Sequence, residues 1–258
     1  MDRKTVALII PTMDKLGYLK QTLPQAASIG FDEVIVIDSS LKEKEAVESL
    51  CKTVGAKYVF TASDRLRARN LGARLATEDW VCIADDDVLL KKFDFAKFQE
   101  LAQDADFMIG GWGKIPGAHY AWIFRRNFFL DVLKGYDLLI AGGDDLDITL
   151  RAEQSGKGFQ VFDKGLYESE AIGLKIAMDY PSKWIRNKAL YALTMFPLVR
   201  RHPFLVRNLI LADAWRLKRL RKGEGIGRLV FESLIERMGL VYSPAYYLLT
   251  KSRMNRAR

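Results

Sequence analysis

The chain has 258 residues, 49% of them hydrophobic and 28% charged, a composition that supports one large buried core with at most a smaller appendage and excludes an unfolded, low-complexity polymer. Its two cysteines, Cys51 and Cys82, sit inside apolar segments, which excludes a disulfide framework or a thiolate metal site and fits a reducing compartment. The net charge of +8 is unevenly spread: Ala171–Arg258 carries 18 Lys and Arg against 5 Asp and Glu, and residues 1–170 carry 22 against 27, so an acidic body precedes a basic tail suited to an anionic surface.

The apolar run Val6–Ile10 ends at Pro11 and is too short for the hydrophobic region of a signal peptide, so export is not expected. It reads instead as a first strand, with Pro11 and Thr12 after it. Glu33–Ile37, Tyr58–Phe60 and Trp80–Ala84 read as further strands, and Ala46, Val47, Leu50, Cys51 and Val54 fall at helical spacing between the second and third. Such alternation predicts a mostly parallel sheet covered by helices, with ligands at the carboxyl ends of the strands. Asp38 and Asp85 stand at such ends. Between the third and fourth strands, a helix through Asp64–Arg74 brings Arg65, Arg67, Arg69 and Asn70 toward the same edge. Arginine matches phosphate or carboxylate geometry, although arginines on helix surfaces are more often solvated. The fourth strand runs into Asp85-Asp86-Asp87. Three adjacent anions repel one another, and a hard divalent cation bound there would offset the repulsion; an acidic loop before the next helix is the plainer alternative.

From Asp106 to Arg126 the pattern gives way to glycines interleaved with Trp112, His119, Tyr120 and Trp122. These are either turns around core aromatics or a wall on which a ring-shaped substrate stacks, with Trp112 and His119 as candidate acceptor contacts. A helix is expected from Asp144 through Leu150 to Gln154, stopped by Gly156 and Gly158 and opening on Asp144, Asp145 and Asp147. Beyond Gly173, prolines punctuate basic amphipathic stretches such as Phe204–Leu220. The longest apolar run, Ala189–Val199, contains Pro197 and falls far short of the roughly 20 residues a spanning helix needs. Lying on a membrane and packing against a protein surface both remain open.

Taken in order, these motifs resemble the inverting nucleotide-sugar glycosyltransferases of family 2. Val6–Thr12 is similar to that family's opening strand and Pro-Thr turn, and Glu33–Ser40 to its second strand and base-binding aspartate. Ala68-Arg69-Asn70-Leu71-Gly72 followed by Trp80–Asp87 resembles its Ala-Arg-Asn-x-Gly helix and Asp-x-Asp motif. Gly142–Ile148 with Leu150-Arg151 resembles its Glu-Asp-x-Asp-Leu segment. The resemblance implies an α/β GT-A fold, Rossmann-like with a mostly parallel central sheet flanked by helices, over residues 1–172; the charge and amphipathic spacing beyond it mark a basic helical extension over 173–258. It implies a nucleoside-diphosphate sugar donor bound by Pro11, Thr12, Asp38, Arg69, Asn70, Asp85 and Asp86, with Asp38 at the nucleobase and Asp86 the most dispensable of the triplet. Asp87 and Asp85 would hold Mn²⁺ or Mg²⁺, either with Glu168 as a further oxygen ligand or by themselves, Asp145 would be the base, and Trp112, Asp144 and His119 would face a hydroxyl acceptor, a glycan or a lipid-linked sugar.

The chain departs from the family pattern in several places. Asp14 stands where Asn is common, Ser39 follows Asp38 where Asp-Gly is common, Asp144 replaces Glu, and Glu168 stands near where a metal-contacting His is often found. The basic extension suits an anionic membrane surface, hence a cytoplasmic enzyme held peripherally at the inner face of the cell membrane. No nucleic-acid motif accompanies the charge. Oligomeric state is left open. Two rivals are a phosphohydrolase of the haloacid-dehalogenase type, with Asp85 and Asp87 as nucleophile and acid, and a non-enzymatic module that binds membrane or nucleic acid through the basic tail.

Overall fold

The computed structural model describes residues 3–109, 121–140, 144–155, 160–162, 165–172, 197, 200 and 201. Trp112, His119 and nearly all of the basic extension lie outside them. Contacts divide the chain into two compact units, residues 1–136 with 148–176, and residues 137–147 with 177–258.

The apolar runs form strands because both of their faces are covered. β1 (Val6–Thr12) and β4 (Trp80–Ala84) are buried at every position, and β2 (Glu33–Asp38) nearly so, the mark of a parallel sheet sandwiched by helices. β3 (Lys57–Phe60) lies at the edge and is only half-covered. Between them run α1 (Leu16–Ser28), α2 (Lys44–Val54) and α3 (Arg65–Leu75). Asp64 caps α3 by accepting the Arg67 N–H at 2.9 Å, and Gly55, at φ 75°, ends α2 in the left-handed conformation glycine favours.

After β4 the chain forms β5 (Val88–Phe93), α4 (Phe95–Leu101), β6 (Phe107–Ile109), β7 (Ala121–Arg125), a π-helical turn (Phe128–Val132), α5 (Asp144–Gln154), β8 (Gln160–Phe162) and β9 (Tyr167–Ala171). The sheet order is β3-β2-β1-β4-β7-β6-β8. Its first four strands are parallel, β7 runs antiparallel to both β4 and β6, and β8 is parallel to β6. A separate antiparallel ribbon joins β5 to β9. The mostly parallel sheet flanked by helices is the predicted fold class. The stretch Asp106–Arg126, where regular winding was expected to stop, contains β6 and β7 whole, and what changes there is strand direction, since β7 runs antiparallel to β4 and β6.

Side chains alternate across the sheet. Val6, Leu8, Ile10, Val34, Val36, Trp80 and Cys82 pack with Leu19 and Leu23 of α1, Val47 and Cys51 of α2 and Phe98 of α4. The intervening residues turn to the other face, where α3 lies close enough that a Cβ on Gly72 would sit 2.4 Å from Ile9 Cγ2 and 3.2 Å from Ile37 Cγ1. The glycine of the Ala-Arg-Asn-Leu-Gly segment is therefore a close-approach residue. Gly72→Ala should destabilise the protein by about 1–3 kcal/mol, the usual cost of overpacking a core, read as a lower urea midpoint at unchanged slope; unchanged stability would mean that α3 can back away from the sheet.

Candidate active site

The carboxyl ends of β1, β2 and β4 carry most of the residues picked out in the sequence, and their side chains go to different places. In the triplet, Asp85 and Asp87 keep 28% and 22% of their side chains exposed, whereas Asp86 between them keeps 4%. Asp85 pairs with Arg69 at 2.6 Å and lies 4.0 Å from Arg65. Burial opposes its ionisation, but the two guanidiniums and the Arg69 hydrogen bond outweigh that and hold its pKa down at about 2. Arg69 is itself fully buried, over the Trp122 ring at 5.3 Å and the Tyr136 ring at 5.0 Å, a cation held between aromatic faces and a carboxylate.

Asp86 turns inward. Its Oδ2 accepts from Thr12 Oγ1 at 2.9 Å, its Oδ1 meets Lys15 Nζ at 2.8 Å, and its carbonyl accepts from Thr22 Oγ1 at 2.9 Å. Burial raises its pKa and Lys15 opposes that rise. Far from dispensable, Asp86 ties the β4–β5 turn to β1 and α1, so the expectations for Asp86 and for Thr12 as donor contacts give way to this internal link. Lys15, which the sequence reading passed over, also stands 3.8 Å from Asp87.

Three further expectations change. Asn70 does not face the edge: its side-chain amide donates to the Tyr136 carbonyl at 2.9 Å and its oxygen accepts the Tyr136 N–H at 2.8 Å. It clamps the turn at Gly135, whose φ of 72° and closeness to Asn70 leave no room for a Cβ. Arg151 holds the same turn through the Leu133 and Gly135 carbonyls. Asp38 is fully buried, with Oδ1 accepting the Ser40 N–H at 2.8 Å and Oδ2 the Tyr58 hydroxyl at 2.9 Å. It braces this edge and presents no open oxygen to a base. Burial and the bond to Asp38 push the Tyr58 hydroxyl's pKa up.

Glu168 is the third. In the antiparallel ribbon it pairs with Lys92, while Ala171 pairs with Val88 and Ile172 N–H donates to the Asp87 carbonyl at 2.9 Å. Glu168 thus stands about four residues from Asp87 along the strand, on the order of 13 Å, and does not complete a metal site. Among the described residues no group of three or more His, Cys, Asp or Glu gathers to hold an ion. What remains is Asp85 and Asp87, a donor pair that fits a hard cation bringing water and phosphate oxygens as its other ligands, the mode in which Mg²⁺ binds through one or two carboxylates.

Pro11 lies buried within β1. Asp14 shows why Asp serves where the pattern has Asn: its φ is 51°, in the left-handed region both residues tolerate, and its Oδ1 accepts the Leu41 and Lys42 N–H groups at 3.1 and 3.3 Å. The rim of this edge is apolar. Met13, Leu41 and Phe60 are 56%, 82% and 39% exposed, Phe60 pairs in register with Asp38, and Lys44 Nζ lies 4.2 Å from its ring centroid. An exposed apolar residue after a strand was the available sequence signal, but exposure itself is not written in the sequence.

The second unit holds the acidic start of α5. Asp144 is 4% and Asp147 1% exposed, and Asp145 is half-buried. Arg201 donates through Nη1 to both Asp147 oxygens, at 3.0 and 3.2 Å, and pairs through Nη2 with Asp137. A residue of the basic segment therefore neutralises an aspartate of this motif.

Removing Arg69 tests the site's internal electrostatics. Arg69→Leu leaves Asp85 without its closest cation and should cost about 3–5 kcal/mol. In metal-free buffer the Asp85 pairing stabilises the wild type above the ordinary carboxyl pKa, a contribution of about 2 kcal/mol lost as pH falls from 5 toward 2. Urea titrations across that range should show the decline in the wild type and a shallower one in Asp85→Asn; parallel curves would refute the assignment.

The model of the family described as glycosyl transferase family 2 matches residues 7–166. The comparison with curated proteins gives no match. Among solved structures, S. aureus TarS matches with a TM-score of 0.53 at 16% identity, over 73% of this chain and 39% of that one. TarS 1-349 in complex with UDP matches with a TM-score of 0.52 at 15% identity, over 74% of this chain and 65% of that one. At such identity the likeness shows the fold, GT-A, and the chain spans less than two thirds of either TarS chain.

Proposed function

The chain belongs to glycosyl transferase family 2, and from that membership we propose that it moves a sugar from a nucleoside-diphosphate donor to a hydroxyl acceptor with inversion at the anomeric carbon. The observation that carries this reading is the alternation at the triplet, in which Asp85 and Asp87 keep accessible carboxylates at the carboxyl end of β4 while Asp86 is consumed inside. Such an edge is where open α/β sheets bind nucleotides, and the matching TarS 1-349 structure is a complex with UDP. Asp85 and Asp87 would hold Mn²⁺ or Mg²⁺ beside the diphosphate, and a cation bound there supplies charge neutralisation of the leaving group.

The chain's own residues supply the rest. Arg69 keeps Asp85 ionised, and Asp86 with Thr12 and Thr22 fixes the turn from which Asp87 projects. Asp145 takes the proton of the acceptor hydroxyl as its oxygen forms a bond to the anomeric carbon, and the bond from that carbon to the diphosphate oxygen breaks on the opposite face. A single displacement inverts the configuration. The phosphohydrolase alternative loses support because the family 2 model matches residues 7–166.

The basic extension, with its excess of 18 Lys and Arg over 5 Asp and Glu, supports a cytoplasmic enzyme resting on the inner face of the cell membrane, where a lipid-linked or surface-glycan acceptor would meet it. No helix among the described residues is long and apolar enough to cross a membrane.

A thermal-shift screen of nucleoside diphosphates and sugar nucleotides with and without Mn²⁺ tests the donor reading. Stabilisation that requires both metal and nucleotide, and that Asp87→Ala abolishes, is the expected result; equal shifts without metal would remove the cation from the mechanism. Asp145→Asn should retain donor binding and lose transfer on the order of 10²–10⁴-fold, and transfer at the original rate would rule Asp145 out as the base. The full chain should sediment with vesicles containing anionic lipid and not with purely zwitterionic ones, the outcome on which the membrane assignment depends.

A further inference from the structure

We propose that Lys15 makes cation binding at Asp87 conditional on the diphosphate, so that metal and donor enter this edge together or not at all. The inference rests on the donor reading above. Lys15 is the N-cap of α1, its carbonyl accepting the Tyr18 and Leu19 N–H groups at 3.0 and 3.1 Å, so its backbone is pinned beside the β4–β5 turn. From there Nζ reaches Asp86 Oδ1 at 2.8 Å and comes within 3.8 Å of Asp87 Oδ2. Among the described residues Lys15 is the cation that pairs with Asp86, and the other Asp86 oxygen is taken by Thr12. Releasing Lys15 would strand a carboxylate that is 3% exposed, which a folded protein resists. The ammonium therefore stays near Asp87 whatever binds there.

On the other side, Asp85 already faces Arg69 at 2.6 Å and Arg65 at 4.0 Å. Among the described residues, the three carboxylates thus face three cationic side chains before any ligand arrives, with Lys15 shared by Asp86 and Asp87. A divalent cation coming alone would meet a fixed positive charge a few ångström away and no surplus of negative charge to hold it. Arriving with a diphosphate, it brings the compensating anion, and the Lys15 ammonium then has phosphate oxygens to donate to. Lys15 would in this way keep the enzyme from filling with metal in the absence of donor.

The test titrates the full chain with Mn²⁺ alone and with Mn²⁺ plus saturating UDP, GDP or ADP, following bound Mn²⁺ by electron paramagnetic resonance and subtracting the complex each nucleotide forms with Mn²⁺ in buffer. The wild type should bind Mn²⁺ at least about tenfold more tightly with one of these nucleotides than alone, and Lys15→Gln, which removes the charge and keeps a polar side chain, should bind Mn²⁺ alone at least about tenfold more tightly than the wild type. Lys15→Arg should behave like the wild type. Equal Mn²⁺ affinity with and without nucleotide in the wild type overturns the proposal, and this comparison stands even if Lys15→Gln does not fold. Unchanged Mn²⁺ affinity in a folded Lys15→Gln overturns it equally, and either result leaves the donor reading intact. Failure of all three nucleotides to bind under any condition overturns the donor reading and the proposal with it.

Discussion

The Arg69–Asp85 ion pair organises the first unit. A guanidinium with no solvent exposure is costly to bury, and the cost is offset only when its charge is met on several sides. Here the carboxylate at the end of β4 meets it at 2.6 Å, and the rings of Trp122 and Tyr136 face it from β7 and from the turn that follows the π-helix. One side chain of α3 thereby fixes the tip of the central strand, its antiparallel neighbour and a turn distant in sequence. Its neighbours on the same helix extend that role, since Asn70 clamps the turn at Tyr136 through both of its amide groups and Gly72 allows the helix to lie against Ile9 and Ile37. Read physically, Ala-Arg-Asn-Leu-Gly is a docking motif that holds an ionised aspartate in place, more than a surface for ligand contact.

The two faces of the sheet share the work at the triplet. Asp85 is served from the α3 face by arginines, and Asp86 from the α1 face by Lys15, Thr12 and Thr22. This division is made in the turn after β4, where Asp85 lies against the arginines of α3 while Asp86 and Asp87 lie beside Lys15. It also explains how three adjacent carboxylates coexist: each faces a cation instead of the others. The repulsion that a bound metal was expected to offset is already offset by the protein, which leaves the charge of any incoming cation to be matched by the ligand that accompanies it.

Much of the fold was legible because burial on both faces demands unbroken apolar runs. Val6–Ile10, Glu33–Ile37, Tyr58–Phe60 and Trp80–Ala84 were each found as strands to within one or two residues at either end, and α5 spans Asp144–Gln154 as its acidic start and glycine stop indicated. The antiparallel half was not legible. β6 and β9 are three and five residues long, and β9, Tyr-Glu-Ser-Glu-Ala, has no apolar run to announce it. That gap misplaced Glu168, since only the pairing of Lys92 with Glu168 and Val88 with Ala171 reveals which residue of β9 stands beside Asp87.

The amino-acid sequence by itself determined the order of strands and helices, the collection of acidic and basic residues at strand ends and the membership in glycosyl transferase family 2, because these depend on local periodicity and on motifs a few residues long. Which of those residues remain open to a ligand was decided only by tertiary structure. Asp38, Asp86, Arg69 and Asn70 share the residue types and spacing of a binding site, yet each is enclosed by partners from elsewhere in the chain, while Lys15 enters the site from a helix cap that carries no motif. Exposure and pairing are properties of side chains brought together across tens of residues, and the burial that closes Asp86 and leaves Asp85 and Asp87 open exists only once β1, α1, α3 and β4 have packed.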